Sequence, residues 1–382
     1  MAVLYFGASS AGANNGSSWN DRMAFVVSGA INTAISAFDF TADFLIARIG
    51  PGTYSLTTSI ASFTGASGPS LLFPCILEAA NSDGTRWTPP DPNWISPMPA
   101  WDSSTMPEIV TTTNIATVNN INVSLYGLKI TASGRNGSVT NNARRIDWCF
   151  VTNTTSNTSV TCGVINGSNC VYACTGTGYA NVGATPVPGS LFNIRIEGNS
   201  SATTGTRLGL VNVSNTGFGI ENCTIVNNPG GGVHQTGTAT NASIYCNRLT
   251  MYGNGGDNIF AASTRTTSPS TVVGCFIVGG NNSVRIDTTA HPSIARNNRF
   301  RNFSSAALSN VTSAYTANNN GNTDAAGTDA DEFVNVASGD YRIKNTSLYW
   351  GKGYGAGDEP AAGGGASGLW LGHLGQTGIG AF

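Results

Sequence analysis

Asn222-Cys-Thr-Ile-Val226 and Gly274-Cys-Phe-Ile-Val278 share one plan: a turn residue, a small apolar residue, then a very short apolar strand. The same unit recurs outward from them as Gly127-Leu-Lys-Ile130, Trp148-Cys-Phe-Val151, Asn193-Ile-Arg-Ile196, Cys246-Asn-Arg-Leu-Thr-Met251 and Arg296-Asn-Asn-Arg-Phe300. Successive copies start 21, 45, 29, 24, 28 and 22 residues apart. Repetition at this period marks a solenoid, in which each unit buries its apolar face only against its neighbours. The apolar runs are too short for helical repeats, and the leucine-rich pattern L-x-x-L-x-L-x-x-N is absent. The fold that remains is all-β, a right-handed parallel β-helix with coils stacked at about 4.8 Å. The 45-residue step then holds two coils or one large insertion. In this frame Cys149, Cys223 and Cys275 share a column, with Cys246 one place off. Buried cysteine packs as a small hydrophobe. Stacked Asn side chains hydrogen-bond along a column, which accounts for 41 Asn without a ligand. The Asn-x-Ser/Thr sites at Asn122, Asn136, Asn212 and Asn241 follow from the same composition and are not read as glycosylated.

Composition narrows the function. Of 382 residues only 10% are charged, three are Lys, and the net charge is −2. A nucleic-acid binder needs a basic face to displace counterions, so that class is excluded. With 40% hydrophobic residues, the chain does not have the low hydrophobicity and high charge of a disordered one. No apolar run approaches the roughly 18 residues of a membrane span. Met1-Ala-Val-Leu-Tyr-Phe-Gly7 has no basic start and too short an apolar run for an export signal, so the chain is expected to be made in a cytoplasm.

Four regions are expected. Residues 1–60 hold an N-terminal capping helix and the first coil. The helix is placed over 18–38, with Ser18 and Asp21 as a capping box and Met23, Val27, Ile31, Ala34, Ile35 and Phe38 as its stripe. Residues 61–118, with Trp87, Trp94, Trp101 and Pro89-Pro90, read as a Pro/Trp-rich excursion packed on the body. Residues 119–322 are the coils, and 323–382 a closing coil with a Gly-rich C-terminal tail.

Several segments resemble the pectin-lyase-like β-helix superfamily. Asn15-Gly-Ser-Ser-Trp19, the helix and Ile49-Gly-Pro-Gly-Thr-Tyr54 resemble its opening. Phe333-Val-Asn-Val-Ala-Ser-Gly-Asp-Tyr-Arg-Ile343, Ser347, Gly351-Lys-Gly353 and the final Ile379-Gly-Ala-Phe382 are similar to its closing segment. The resemblance implies the fold at both ends of the repeats. It also brings pectate lyases and polygalacturonases into consideration, since fold does not fix function.

A lyase needs a basic residue and clustered Asp for calcium, and a hydrolase needs two carboxylates across the scissile bond. Between 120 and 300 the acids are Asp147, Glu197, Glu221, Asp257 and Asp287, none adjacent. Asp147 and Glu221 both precede strand starts and stand two or three coils apart, about 10–14 Å. With Arg145 of Arg144-Arg145 they form the weak catalytic alternative. His234, His291 and His373 are isolated. Cys162, Cys170 and Cys174 read as buried thiols or a local disulfide, without the spacing of a zinc site. Asp324, Asp329, Asp331 and Glu332 read as a solvated turn, not a calcium loop. No catalytic residue, cofactor or metal is therefore assigned.

The expected function is a non-enzymatic virion protein of the phage type, a capsid decoration or cement protein. It would be homo-oligomeric, trimeric by analogy, and bound to the major capsid protein or another virion protein. Leu369-Trp370-Leu371 and Phe382 of the tail are the interface candidates. The alternatives are a tailspike that recognises host glycans and an extracellular polysaccharide lyase or hydrolase.

Overall fold

A computed structural model describes residues 1–25, 30–56, 68–70, 72–89, 104–111, 122–133, 140–154, 160–174, 180–184, 189–198, 211–213, 218–235, 244–261, 270–286, 293–309, 321–324 and 327–358. Its two large sheets, of 18 and 11 strands, are parallel throughout. Crossovers between parallel strands of one sheet are right-handed, and the chain winds as a right-handed parallel β-helix. In its C-terminal half the coil has three faces. One coil runs Val233–Gln235 on face 3, Ile244–Asn247 on face 1 and Thr250–Tyr252 on face 2, and the next repeats it at Ile259–Ala261, Ser270–Val273 and Phe276–Val278. Face 1 begins at Ala2–Gly7 and face 2 at Gly52–Leu56.

The bend between faces 1 and 2 explains the repeat. Gly127, Trp148, Asn169, Asn193, Asn222, Arg248, Gly274, Asn297 and Gly321 all have φ between 51° and 71°. This left-handed conformation suits Gly and is tolerated by Asn. The repeat therefore steps by 21 to 29 residues, and the 45-residue gap holds two coils, the missing copy being Asn169-Cys-Val-Tyr172. Two copies shift register: the bend residues are Arg248 and Asn297, not Cys246 and Arg296.

Asn193 donates from Nδ2 to Asn169 Oδ1 at 2.6 Å, and Asn222 to Asn193 Oδ1 at 3.2 Å. The residue after each bend points inward, forming the buried column Leu128, Cys149, Cys170, Ile194, Cys223, Leu249, Cys275 and Asn298. The thiols of Cys149, Cys170 and Cys223 donate to the carbonyls two residues earlier, at 3.1–3.3 Å. Cys246 belongs to a different column, stacked between Ile220 and Val272 on face 1.

The amino-terminal region departs from the expected long helix. Among the described residues of 18–38, α-helix occupies Ala30–Ser36, with Ile31 and Ile35 buried in the main core. Ser18 does bond Asp21, at 2.8 Å, but over a 3-10 turn at Trp19–Asp21. Met23–Ala24 pairs as a strand with Phe6–Gly7, so the open edge of the first strand recruits residues whose spacing suited a helix. The stretch read as an excursion also contributes to the stack, through Cys75–Ala79 on face 1 and Pro107–Thr111 on face 2. Trp87 packs against that stack and is buried; Trp94 and Trp101 lie outside the described residues.

Residues 328–358 fold over the outside of face 2 after the last strand, Thr323–Asp324. A helical turn at Asp329–Glu332 and an antiparallel pair, Phe333–Asn335 with Asp340–Ile343, bury Phe333, Tyr341, Ile343 and Tyr349 against Val226, Phe276 and Val278. Arg195, 1% exposed, pairs with Glu197 and donates to Gly339 O at 2.6 Å. Asp329 accepts from both Arg301 and Tyr252.

Candidate functional site

Alternation within each strand turns every second residue of face 1 outward. One outward column is continuous along the molecule: Tyr5, Arg48, Glu78, Tyr126, Asp147, Ser168, Phe192, Glu221 and Asn247. The column beside it carries Ser124, Arg145, Ser190, Gly219, Tyr245 and Thr271, with position 166 in register between Arg145 and Ser190. All three weak catalytic candidates therefore stand on this wall.

The geometry separates them. Asp147 and Glu221 share a column but lie three coils apart, with Ser168 and Phe192 between. At the strand spacing this is about 14 Å, beyond the roughly 5–9.5 Å of glycosidase carboxylate pairs. Asp147 is held by Arg145 and by the Ser168 hydroxyl. Glu221 accepts from Asn247 Nδ2 at 2.9 Å, on the side away from Asp147. Arg145 is thus an ion-pair partner within its own strand.

The other candidates are engaged elsewhere. Glu197 pairs with Arg195, and Asp257 accepts from Asn282 Nδ2 at 2.6 Å. His234 is buried, its Nε2 3.0 Å from Asp257 O and its ring edge-on to Phe260. Asp329 and Asp331 serve the 328–358 segment through Arg301 and the Thr328 cap. Cys170 is a free buried thiol; Cys162 stands on a different strand, and nothing of its side chain or that of Cys174 is described. Burial pushes the Cys223 and Cys275 thiols up to about 12. Among the described residues no group of three or more His, Cys, Asp or Glu gathers as a metal site would require. Leu369, Trp370, Leu371, Phe382, His291, His373 and Asp287 lie outside the described residues.

Two residues that composition did not single out define the wall's chemistry. Phe192 is 37% exposed and Tyr245 46%. They stand diagonally across Gly219, with Phe192 beside Glu221 and Tyr245 beside Gly219. Burial raises the Tyr245 phenol above its ordinary value, and the nearby Glu221 carboxylate adds to the shift. The signal in the sequence was the alternation itself: Leu191 and Ile220 point in, so Phe192 and Glu221 point out.

Among solved structures, the chain is similar to the crystal structure of pectate lyase Pel9A, with 14% identity, a TM-score of 0.43, and coverage of 92% of this chain and 91% of that one. No protein-family model and no curated protein matches the sequence.

Proposed function

We propose that the chain is a non-enzymatic structural protein of a phage particle, a capsid decoration protein that acts as a homo-oligomer, trimeric by analogy, on the major capsid protein. The observation that carries the non-enzymatic part is the arrangement of the acids on face 1. Asp147 and Glu221 are three coils apart, and each is bonded to a neighbour on its own wall. That arrangement also speaks against the lyase or hydrolase alternative. The side-chain bonds that link Asn169, Asn193 and Asn222 across successive coils suit a load-bearing role. The phage assignment rests on a coil stack in which, among the described residues, no acids converge, and on the low charge of the chain, and the tail residues Leu369-Trp370-Leu371 and Phe382 are the proposed contacts.

An antibody to the chain, applied to purified particles and imaged, tests this directly. Label on heads is the expected result, and particles without label overturn it. Release of new reducing ends or unsaturated products from bacterial polysaccharides would overturn the non-enzymatic part.

A second reading, a tailspike that recognises host glycans, is favoured by the exposed Phe192 and Tyr245 on one polar wall. Label at the tail would select it, and an extracellular location goes with it.

A further inference from the structure

We propose that the shallow step floored by Gly219 on face 1 binds one hexose unit of a neutral or amino-bearing glycan. This rests on the glycan-recognition reading above and names the site and the sugar class.

Three adjacent coils set out a small grid of outward residues: Ser190 and Phe192, then Gly219 and Glu221, then Tyr245 and Asn247. The middle coil has no side chain at Gly219. Among the described residues, a Cβ built there would meet only Ser190 Cβ, at 3.8 Å, which leaves room above the backbone. Ser190 and Tyr245 flank that space two coils apart, about 9.6 Å at the strand spacing. This is a gap in a polar wall, with an aromatic ring on one side and a carboxylate beside it.

Each wall suits a different part of a sugar. The Tyr245 ring offers a flat apolar surface to the C–H face of a pyranose, and its hydroxyl remains polar at the rim. Phe192, diagonally opposite, offers a second ring to a neighbouring unit of the glycan. Glu221 uses one bond on Asn247, and a carboxylate has about four acceptor positions, so it can accept from sugar hydroxyls or an ammonium group. Its charge sets the class, because a uronate placed there meets a like charge. Arg248, at the bend after Asn247, feels the charges of both Asp358 and Glu221, so it is shared between two carboxylates.

The test uses the full chain and three oligosaccharide probes of equal length: a chito-oligosaccharide, its deacetylated form and an oligogalacturonate. The first two should bind, and oligogalacturonate about tenfold more weakly or not at all. Gly219→Val fills the step with a strand-forming residue that has room for its Cβ, so the variant should fold, as a thermal melt would confirm. It should lower affinity for the first two probes about tenfold, as should Tyr245→Ala, while Tyr245→Phe stays within about twofold. If the wild type binds and Gly219→Val binds equally well, the step is not the site although glycan recognition stands. Equal affinity for oligogalacturonate overturns the charge selection. If none of the three probes binds the wild type, the glycan-recognition reading itself fails.

Discussion

Faces 1 and 2 meet at the left-handed bend, and the same three coils give them different outer walls. On face 2 the outward pairs are Thr224 and Val226, Thr250 and Tyr252, Phe276 and Val278, and residues 328–358 cover them. On face 1 the outward pairs are Gly219 and Glu221, Tyr245 and Asn247, Thr271 and Val273, and Tyr245 is 46% exposed. An apolar wall left in water carries a cost at roughly 25 cal/mol per Å², so face 2 is stable only with its cover. A wall of polar residues and isolated rings needs none. The covered wall is therefore where stability is concentrated, and the open wall is where recognition has room.

The most severe way to break this contrast is to remove Arg195. Its guanidinium is buried between Glu197 and the Gly339 carbonyl, so Arg195→Ala leaves a carboxylate and a carbonyl beneath the cover without their donor. Losing one partner of a buried pair costs about 3–5 kcal/mol, and denaturant unfolding should show a loss in that range. Phe276→Ala should cost about 3–5 kcal/mol by cavity formation under Phe333 and Tyr349. Phe192→Ala, the same chemical change on the open wall, should stay within about 0.5 kcal/mol. Equal losses for the two Phe variants would mean that face 1 is also covered.

The bend itself was the most legible part of the sequence. Asn193 and Asn222 precede inward residues Ile194 and Cys223, and a turn residue followed by a small apolar one is a local signal. Asn169 is harder to read because Cys162, Cys170 and Cys174 form a local cluster in sequence, although Cys170 is simply the next residue of the inward column. Cys246 lies two residues before the bend at Arg248, not after it, and only its register with Ile220 and Val272 fixes its column. The cover on face 2 could not be read at all: Arg195 and Gly339 are 144 residues apart, and no periodicity links them. The separation of Asp147 and Glu221 was legible only as a range, because the register alone shows that they share a column three coils apart.

A milder perturbation acts on the bend that both walls share. Asn193 accepts from Asn222, donates to Asn169 and sits at φ 51°. Asn193→Ala loses both side-chain bonds and strains an L-residue in the left-handed region, about 2 kcal/mol together. Asn193→Gly loses the same side-chain bonds but keeps the backbone relaxed and should cost about half as much, so its loss measures the ladder and the difference between the two variants measures the backbone strain.

The smallest effect is a pH dependence confined to the cover. Burial raises the Glu332 carboxyl above its ordinary value of 4.5, only partly offset by the Ser347 hydroxyl and the charge of Arg301. Burial likewise raises Asp358 above 3.8, against the Gly351 amide and Arg248. A folded state that holds its proton more tightly than the unfolded chain loses stability as pH rises from the unfolded value to the raised folded one. Asp331 works in the opposite direction, because the Thr328 hydroxyl and amide lower it and its contribution disappears as pH falls through the lowered value. The cover should therefore resist protease less well as pH rises from about 4.5, and Glu332→Gln, which carries no charge at either end of that interval, should flatten the trend while leaving the steeper acid limb of Asp331 in place. Cleavage within 328–358 followed against pH in both proteins is the measurement, and a slope unchanged by Glu332→Gln would assign the dependence to Asp358.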